Sequence, residues 1–253
     1  MRPLTRRKLI TGGAITAAVG VTGLAAADRI ARRWGLIPPD SSGLYGAGET
    51  LTYAAQRVIG KHALAREFSR GMISKTPFMN EVAPLDDAFK KHQAAGFRDW
   101  RLVVDGMVEH PLSLSVSDLQ ALAKQNQITE VVCEEGWSYI AEWIGTPLTA
   151  VLQEAGTLPK VRYIVYRSIQ TDWWESIDMA DALHPQTFLT WGMNDGELPV
   201  GFGGPLRMRI PRQLGYKSLK YITHLTATDS MKKFGKGLGS SSPEAGYAWY
   251  AGI

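Results

Sequence analysis

Short β-strands alternate with short helices after residue 100, and this alternation limits the fold of the 253-residue chain more than any other feature. Runs of β-branched and aromatic residues predict the strands, whereas capping serines and a closing glycine predict the helices. The predicted strands are "WRLVVDGMV", "ITEVVC", "VRYIVYRS", "WWESIDM", "LRMRI" and "YITHLTAT"; the predicted helices are "SVSDLQALAK" and "LTAVLQEAG". Many strands with short helices favour an α+β fold with a mixed sheet over a regular doubly wound fold.

The first 27 residues have the composition of an export signal. Four basic residues precede an uncharged stretch, residues 9–27, which ends in small residues suited to cleavage. The pair Arg6-Arg7 within "TRRKLI" is similar to a twin-arginine motif, which implies export of a folded protein to the periplasm. The uncharged stretch approaches the roughly 20 residues that a membrane helix requires, so retention as an N-terminal membrane anchor is the alternative to cleavage.

Charge and composition divide the rest of the chain. Residues 28–75 contain the Pro/Gly/Ser-rich stretch "GLIPPDSSGLYGAGE", followed by "LTYAAQRVIGKHALAREF", so we expect a tether and a short helix there. Residues 76–253 are expected to form the functional domain. Because residues 1–27 hold four of the 28 basic residues and no acidic one, the remainder has 24 of each sign. This balance gives no electrostatic support to a nucleic-acid partner.

Cys133 is the only cysteine of the chain, and it lies in "ITEVVCEEGWSYIAEW". A lone cysteine is most often a small buried hydrophobic residue. A nucleophile would need a lowered pKa, whereas Glu134 and Glu135 raise the pKa of a neighbouring thiol. A zinc site would need further cysteines or closely spaced histidines, which the sequence does not contain. A single thiolate ligand to a soft metal, with the other ligands supplied by an organic cofactor, requires only this one residue.

The segment "RMRIPRQLGYKSLK" carries the cations that a phosphorylated cofactor would need. Solvation of a strand face is the alternative explanation for such a run. The preceding "GFGGP" and the Gly-Tyr-Lys-Ser turn favour a bound anion, because glycine lets a ligand approach the backbone and turn N–H groups bind anions. We therefore expect these side chains to face a phosphate: Arg207, Arg209, Arg212, Lys217 and Lys220.

Four segments, in order and with suitable spacing, resemble the molybdopterin-binding oxidoreductases of the sulfite oxidase family. They lie between about Trp100 and Asp229 and read "WRLVVDGMVEHPLSLSVSDLQAL", "VVCEEGWSYIAEWIGTPLTAVLQEAG", "RYIVYRS" and "GGPLRMRIPRQLGYKSLKYI". The likeness is strongest to small bacterial members with twin-arginine signals, which include catalytic subunits of periplasmic methionine sulfoxide reductase. It implies a mixed-sheet molybdopterin-binding domain over residues 76–253, with molybdenum and molybdopterin as cofactor.

The residues that match the family's motifs have roles that the resemblance implies. The resemblance implies that Cys133 ligates molybdenum and that Glu135 lies near the metal, where it is the acidic neighbour of greater interest than Glu134. The residues implied at the cofactor are Asn80, Ser168, Phe202, Arg207, Ser218, Leu219 and Lys220.

The chain departs from the family pattern in three places. Phe202 stands where relatives carry His or Asn, so one polar cofactor contact is lost. The stretch after the cysteine, residues 136–139, lacks the arginines with which sulfite oxidases bind their anionic substrate. The sequence after the cofactor segment is too short for the C-terminal immunoglobulin-like domain of the larger enzymes.

The resemblance implies an exported enzyme that transfers an oxygen atom to or from a small substrate, such as a sulfoxide. Because the chain has no C-x-x-C-H heme motif, we expect a separate electron-transfer partner, a membrane or soluble cytochrome. The alternatives are a sulfite-type oxidase and a non-catalytic exported binding protein of the same fold. Asp172, Trp173 and Trp174 are further candidates for the mouth of a substrate pocket, with a packed aromatic strand as the alternative.

Overall fold

The computed structural model describes residues 47–80 and 83–253, in which two five-stranded sheets carry the core. The strands are β1 Leu102–Gly106, β2 Leu112–Leu114, β3 Gln125–Val132, β4 Ser138–Pro147, β5 Tyr163–Ser168, β6 Trp174–Asp178, β7 Phe188–Met193, β8 Gly196–Glu197, β9 Arg207–Arg209 and β10 Ile222–Thr228. The α-helices are α1 Ala47–Ile59, α2 Asp87–Ala94, α3 Val116–Leu122, α4 Leu148–Ala155, α5 Met179–Ala182 and α6 Ser241–Glu244.

The first sheet is mixed, as predicted. Its strand order is β2-β1-β10-β5-β6, and β1 pairs with β10 in parallel while the other neighbours are antiparallel. The second sheet has the order β3-β4-β7-β8 with β9 added to β7, and all its pairs are antiparallel. The α+β fold class with a mixed sheet is therefore confirmed.

Local sequence signals place two of the helices correctly. Ser115 caps α3 in a reciprocal arrangement with Asp118: its Oγ accepts the Asp118 N–H at 3.1 Å, and the Asp118 carboxylate accepts the Ser115 N–H at 2.8 Å. Gly156 ends α4 in the left-handed conformation that glycine adopts without strain, with a φ of +65°. Both helix ends are set by residues within one turn of them.

Strands β2, β4, β7 and β8 were not predicted from the sequence. The longest of them, β4, has Ala141, Glu142 and Trp143 buried in succession, so it lacks the alternation that reveals a half-exposed strand. Its central place between β3 and β7 explains this burial.

The largest hydrophobic cluster joins the helices to both sheets. Helix α4 buries Leu148, Val151 and Leu152 against residues of both sheets, including Ile164 of β5 and Leu189 of β7. Each fully buried side chain of this size contributes about 1.5–3 kcal/mol to the free energy of unfolding. This shared core fixes the position of one sheet relative to the other.

The described part of the N-terminal region, residues 47–75, lies against the body of the protein. Helix α1 falls within the stretch predicted as tether and short helix, and it buries Tyr53 and Arg57. Further along, the Phe68 N–H donates to the Ile128 carbonyl at 2.9 Å, and the Ser74 N–H donates to the Ile140 carbonyl at 2.9 Å. The domain boundaries stay a prediction, and the predicted signal, residues 1–27, lies outside the described residues.

The tail after β10 turns back onto the body. Trp249 and Tyr250 pack edge-to-face on Tyr53 of α1, with ring centroids 5.7 and 5.6 Å apart. Two aromatic residues of the tail are therefore buried against the folded domain, whereas Tyr247 is 46% exposed. Within residues 47–80 and 83–253, no helix combines the length and the hydropathy of a membrane span.

Candidate cofactor and active site

A cavity of about 650 Å³ opens where the turn between β3 and β4 meets the segment that joins β9 to β10. Its volume is in the range of cofactor and small-molecule sites. Most of the predicted site residues line it: Asn80, Cys133, Glu135, Phe202, Arg207, Ser218, Leu219 and Lys220. These residues are scattered over 141 positions of the chain, and the fold brings them to one cavity.

A tight turn presents the Cys133 side chain to the cavity. Cys133 follows the last residue of β3; its N–H donates to the Trp137 carbonyl at 2.9 Å, and its carbonyl accepts the Gly136 N–H at 3.1 Å. Gly136 has a φ of +90°, which the turn requires and which glycine adopts without a steric cost. The turn holds the thiol largely buried, with 9% of the residue exposed, at the wall of the cavity.

The environment of this thiol disfavours a free nucleophile. Burial raises the pKa of Cys133 to about 12; the backbone N–H of Glu135 opposes the shift, and the carboxylates of Glu134 and Glu135 add to it. The thiol donates to the Glu134 carboxylate at 3.2 Å and lies 3.8 Å from that of Glu135. At neutral pH such a thiol is protonated, whereas coordination to a metal cation removes its proton. The site therefore suits a metal ligand better than a nucleophile.

Glu135 has a fixed orientation. The Trp137 Nε1–H donates to its carboxylate at 2.7 Å, and both residues line the cavity. Glu134, which the sequence analysis ranked lower, is the nearer carboxylate to the sulfur by 3.2 against 3.8 Å. Two carboxylates therefore accompany the thiol, and one of them is held in place by an indole.

Arg207 and Lys220 bring positive charge to the cavity. Arg207 donates to the carbonyl oxygens of Ser218 and Phe202, both at 2.9 Å. Lys220 donates to the Asn80 side-chain oxygen at 2.9 Å and to the Gly201 carbonyl at 2.7 Å. Both cations line the wall of the cavity.

Gly203 allows these two cations to lie side by side. It has a φ of +109°, and a Cβ at this position would lie 2.9 Å from Lys220 Cγ and 3.1 Å from Arg207 Cδ. The glycine of "GFGGP" thus makes room for side chains of the protein. The contacts of Gly203 thus explain one glycine of this run by the packing of protein side chains, and the approach of a ligand to the backbone here stays a prediction.

The other three cations of the basic segment do not face the cavity, contrary to the prediction for the whole run. Arg209 is buried behind it, where it donates to the Thr129 hydroxyl at 3.0 Å and lies over the Trp143 ring at 4.7 Å. Arg212 pairs with Asp181 at 3.4 Å, and Lys217 pairs with Glu175 at 2.8 Å. A buried charged side chain requires a polar or charged partner. These three cations have such partners inside the protein, so we assign them to stabilisation of the fold.

Ser218 and Ser168 hold different positions relative to the cavity. Ser218 lines it, and its Oγ accepts from Arg209 and from the Ile210 N–H, both at 3.2 Å. Ser168 is absent from the described residues that line the cavity. Its Oγ accepts the N–H of Gln170 at 3.2 Å, and Gln170 is the residue that reaches the wall. The assignment of Ser168 to the cofactor stays a prediction.

An aromatic wall extends from Phe202 to the surface. The ring centroids of successive members are 5.6, 5.9 and 4.9 Å apart along Phe202, Tyr139, Trp137 and Phe78. All four residues line the cavity. Phe202 is thus part of an apolar surface that favours an apolar portion of a ligand.

Some of the residues that line the cavity were predicted from the sequence, and others were not. Asp172 and Trp173 line the cavity as proposed, whereas Trp174 is buried and packs near Phe234. Gln170 lies two residues after Ser168, in the bend that follows β5, so its place just beyond a predicted site residue is the signal that could have revealed it. The C-terminal wall has no such signal, because its residues belong to no motif and lie far along the chain from the rest of the site: Ser241, Ser242, Ala245 and Tyr247.

The chemistry of these residues fits the cofactor that the resemblance implies. A thiol is a suitable ligand for a soft metal, and two cations side by side suit a phosphate. The cavity is large enough for an organic group between them. Among the described residues, no three His, Cys, Asp or Glu side chains are grouped so as to hold a metal ion.

Comparison with known proteins identifies the family. The family described as "Oxidoreductase molybdopterin binding domain" matches residues 89–234. The chain is 36% identical over 189 residues to the protein-methionine-sulfoxide reductase subunit YedZ1 of Azospira oryzae, covering 75% of this chain and 68% of the relative. It is 30% identical over 243 residues to the protein-methionine-sulfoxide reductase catalytic subunit MsrP of Xanthomonas axonopodis, covering 89% of this chain and 70% of the relative.

A solved structure with the same fold is the sulfane dehydrogenase SoxCD of Paracoccus pantotrophus. The TM-score is 0.52 at 20% sequence identity, over 67% of this chain and 46% of the other. The chain thus spans about half the length of this relative, and the likeness shows the fold. With the family match over more than half of the chain, the molecule belongs to the oxidoreductases with a molybdopterin-binding domain, and it is an enzyme whose cofactor is molybdenum bound to molybdopterin.

Proposed function

We propose that this enzyme reduces a sulfoxide, such as that of methionine, after export to the periplasm. The sulfoxide takes up two electrons and two protons and yields the thioether and water. The observation that carries this proposal is the arrangement of the Cys133 thiol, the two carboxylates and the aromatic wall around one cavity. The two relatives described above are named as methionine sulfoxide reductase subunits, which supports sulfoxide reduction as the direction of the reaction.

The protein's own residues would divide the work among three parts of the cavity. Cys133 would hold the metal, while Arg207, Lys220 and the Ser218 segment would bind the anionic end of the cofactor. When bound, the cofactor supplies two-electron oxygen-atom transfer. Glu135, oriented by Trp137, would hold a proton near the oxygen that leaves as water.

The aromatic wall would bind the apolar part of the substrate. A thioether sulfur makes favourable contacts with aromatic rings, worth about 0.3–1.5 kcal/mol each. Tyr139 and Phe202 are closest to the buried end of the wall, and Trp137 and Phe78 extend it outward. A neutral substrate with methyl groups beside sulfur matches this surface.

The charges beside the thiol favour a neutral substrate over sulfite. The carboxyl groups of Glu134 and Glu135 lie 3.2 and 3.8 Å from the Cys133 sulfur, and any negative charge that they carry repels a dianion bound beside it. The residues that follow the cysteine in the turn, 134–139, contain no arginine. We therefore place sulfite oxidation second to sulfoxide reduction.

Export and an external electron donor complete the proposal. The Arg6-Arg7 pair and the uncharged stretch that follows it support twin-arginine export, with cleavage or retention of the segment as a membrane anchor. Two electrons must enter for each turnover, and the sequence has no heme motif. A cytochrome, in the membrane or in solution, is the proposed donor.

The test begins with cofactor content and activity. The protein, produced with the molybdenum cofactor maturation machinery, should contain about one molybdenum and one pterin per chain, as one site per chain requires. It should oxidise a reduced dye in the presence of methionine sulfoxide. Activity with sulfite alone would overturn the proposed direction, and folded protein with neither molybdenum nor pterin would identify a non-catalytic binding protein.

Variants at the turn separate metal binding from proton transfer. Cys133→Ala should lose molybdenum. Glu135→Gln should keep molybdenum and lower kcat by about a hundredfold, the smaller end of the range for a positioned acid. Glu134→Gln is the matched control: it removes the same charge from the carboxylate that no indole orients, and its kcat should fall less.

A further inference from the structure

The cavity has two walls that come from distant parts of the chain. One wall is the cofactor segment, in which the 3-10 turn Gly215–Lys217 leads directly into Ser218, Leu219 and Lys220. The other wall is the C-terminal segment, which contributes Ser241, Ser242, Ala245 and Tyr247. A cofactor between them would depend on the distance and register of the two walls.

Lys217 is held at both ends. Its carbonyl accepts the hydroxyl of Tyr166 at 2.7 Å, and both residues are fully buried. Its ammonium group donates to Glu175 at 2.8 Å, to the Ser176 carbonyl at 3.1 Å and to the Ser240 hydroxyl at 3.2 Å. All three possible donor positions of the ammonium are therefore used within the protein.

Glu175 holds the opposite wall. One carboxylate oxygen accepts from Lys217, while the other accepts the N–H of Ser242 at 3.2 Å and the Ser242 hydroxyl. Ser242 lines the cavity. The Lys217–Glu175 pair, 0% and 1% exposed, thus connects the cofactor segment to the C-terminal wall through one buried unit.

A second contact joins the same two walls nearer the surface. The Tyr216 hydroxyl donates to the Ala248 carbonyl at 2.6 Å, and the Tyr216 and Tyr247 rings lie 5.5 Å apart. Tyr216 and Lys217 belong to the same 3-10 turn. The turn is therefore attached to the C-terminal segment on both its buried and its exposed side.

We propose, on the basis of the cofactor site described above, that Lys217 and Glu175 are positioning residues that hold the two walls of the cavity in register around the cofactor. Neither residue lines the cavity among the described residues, so they act through Ser218 and Ser242. A buried ion pair is weak evidence for stability, because desolvation offsets its attraction. Geometric control of both walls gives this pair a role that two apolar side chains of equal volume would not provide.

The double variant Lys217→Met/Glu175→Leu tests this role. Apolar replacement of a buried ion pair is often neutral for stability, so the protein should fold. Loss of the charge-assisted hydrogen bonds should speed pterin dissociation from the holoenzyme about tenfold. Pterin release at the wild-type rate would overturn the proposal.

Hydrogen exchange provides a readout that does not depend on the cofactor. In the protein as purified, exchange of the backbone amides in residues 215–220 and 240–247 should rise together in the double variant. If only one of these segments exchanges faster, or neither does, the two walls are not coupled by the pair. Glu175→Gln keeps the shape but leaves the buried Lys217 ammonium without its counter-charge, so it should show the same joint increase to a larger degree.

Leu152→Ala is the matched control. Leu152 is buried in the main core, outside the residues that line the cavity, and its truncation lowers stability without touching either wall. Its pterin dissociation rate, measured on folded protein, should equal that of the wild type. Wild-type protein without pterin would contradict the proposed function, whereas equal dissociation in wild type and double variant would contradict the positioning role alone.

Discussion

Two groups of cations differ in what their charges contact. One group, the anchor network, consists of Arg57 and Arg212 with the carboxylates of Asp178 and Asp181. The other group, the pocket cations, consists of Arg207 and Lys220, which line the cavity; Arg207 donates to the neutral carbonyl oxygens of Ser218 and Phe202.

This difference separates fold from function. In the anchor network, opposite charges meet inside the protein: Arg57 lies 2.7 Å from Asp178 and 2.8 Å from Asp181. Around Arg207, neutral oxygens orient the guanidinium and leave its charge to act on the cavity. Removal of an anchor cation should therefore cost stability, whereas removal of a pocket cation should cost cofactor.

Arg57→Met should give the largest loss of stability. The substitution leaves the buried carboxylates of Asp178 and Asp181 with less compensation, which costs about 3–5 kcal/mol when one partner of a buried pair is removed. Chemical denaturation monitored by fluorescence measures the change in the free energy of unfolding. Cofactor content per folded chain should stay at the wild-type value.

A surface arginine is the control for this substitution. Arg70 pairs with Glu142 at 2.6 Å, but its side chain is 52% exposed, and water screens an exposed pair so that it contributes little to stability. Arg70→Met should thus have a much smaller effect than Arg57→Met. Equal losses in the two variants would contradict the assignment of Arg57 to a buried anchor.

Arg207→Met should affect cofactor binding more than stability, the reverse of what we expect for Arg57→Met. Loss of charge-assisted contacts to an anion, about 1.5–3 kcal/mol, should weaken pterin binding roughly 10- to 100-fold. The melting temperature of the cofactor-free protein should change much less than in Arg57→Met. Full pterin retention together with a large loss of stability would place Arg207 with the anchor cations.

Gly203→Ala should disturb both pocket cations at once. The new Cβ would meet Lys220 Cγ at 2.9 Å and Arg207 Cδ at 3.1 Å, in addition to the strain of a φ of +109°. We expect a stability loss of about 1–3 kcal/mol together with partial loss of pterin. Gly96→Ala is the control, since Gly96 has a φ of +60° with nothing within 4 Å of its would-be Cβ, so pterin should be retained.

His184 near the anchor network should contribute a small dependence of stability on pH. Burial lowers the pKa of His184, and the charge of Arg212 acts in the same direction while Asp181 opposes it. Below pH 6.5 the unfolded state therefore binds a proton that the folded state does not, and stability falls as pH decreases toward the lower folded-state pKa. His184→Gln should reduce this slope in urea denaturation measured between pH 5 and 7, and an unchanged slope would exclude the contribution.

Local sequence signals were sufficient to predict a residue's role where that role depends on its immediate neighbours in the chain. The Ser115 cap, the Gly156 terminus and the tendency of Glu134 and Glu135 to raise the Cys133 pKa all depend on contacts within a few residues. Such interactions are short-range, so the same residues act in the same way wherever the fold places them.

Burial from distant segments explains what the patterns could not predict. Strand β4 lacks an alternating pattern because neighbours on either side, β3 and β7, and the core cover it. The C-terminal wall of the cavity depends on Ser242 meeting Glu175, which is 67 residues earlier in the chain. Neither the covering of β4 by its neighbours nor the contact between Ser242 and Glu175 leaves a periodic signal in the sequence.

By itself the sequence determined the α+β class, the molybdopterin family, the lone thiol and the presence of five cations near the cofactor segment. Tertiary structure alone decided how those cations are used. Lys217 and Lys220 are three residues apart, yet one is fully buried against Glu175 and the other lines the cavity. The reason is that a side chain in an irregular turn points where packing and charge neutralisation allow, and these depend on segments far away in the chain.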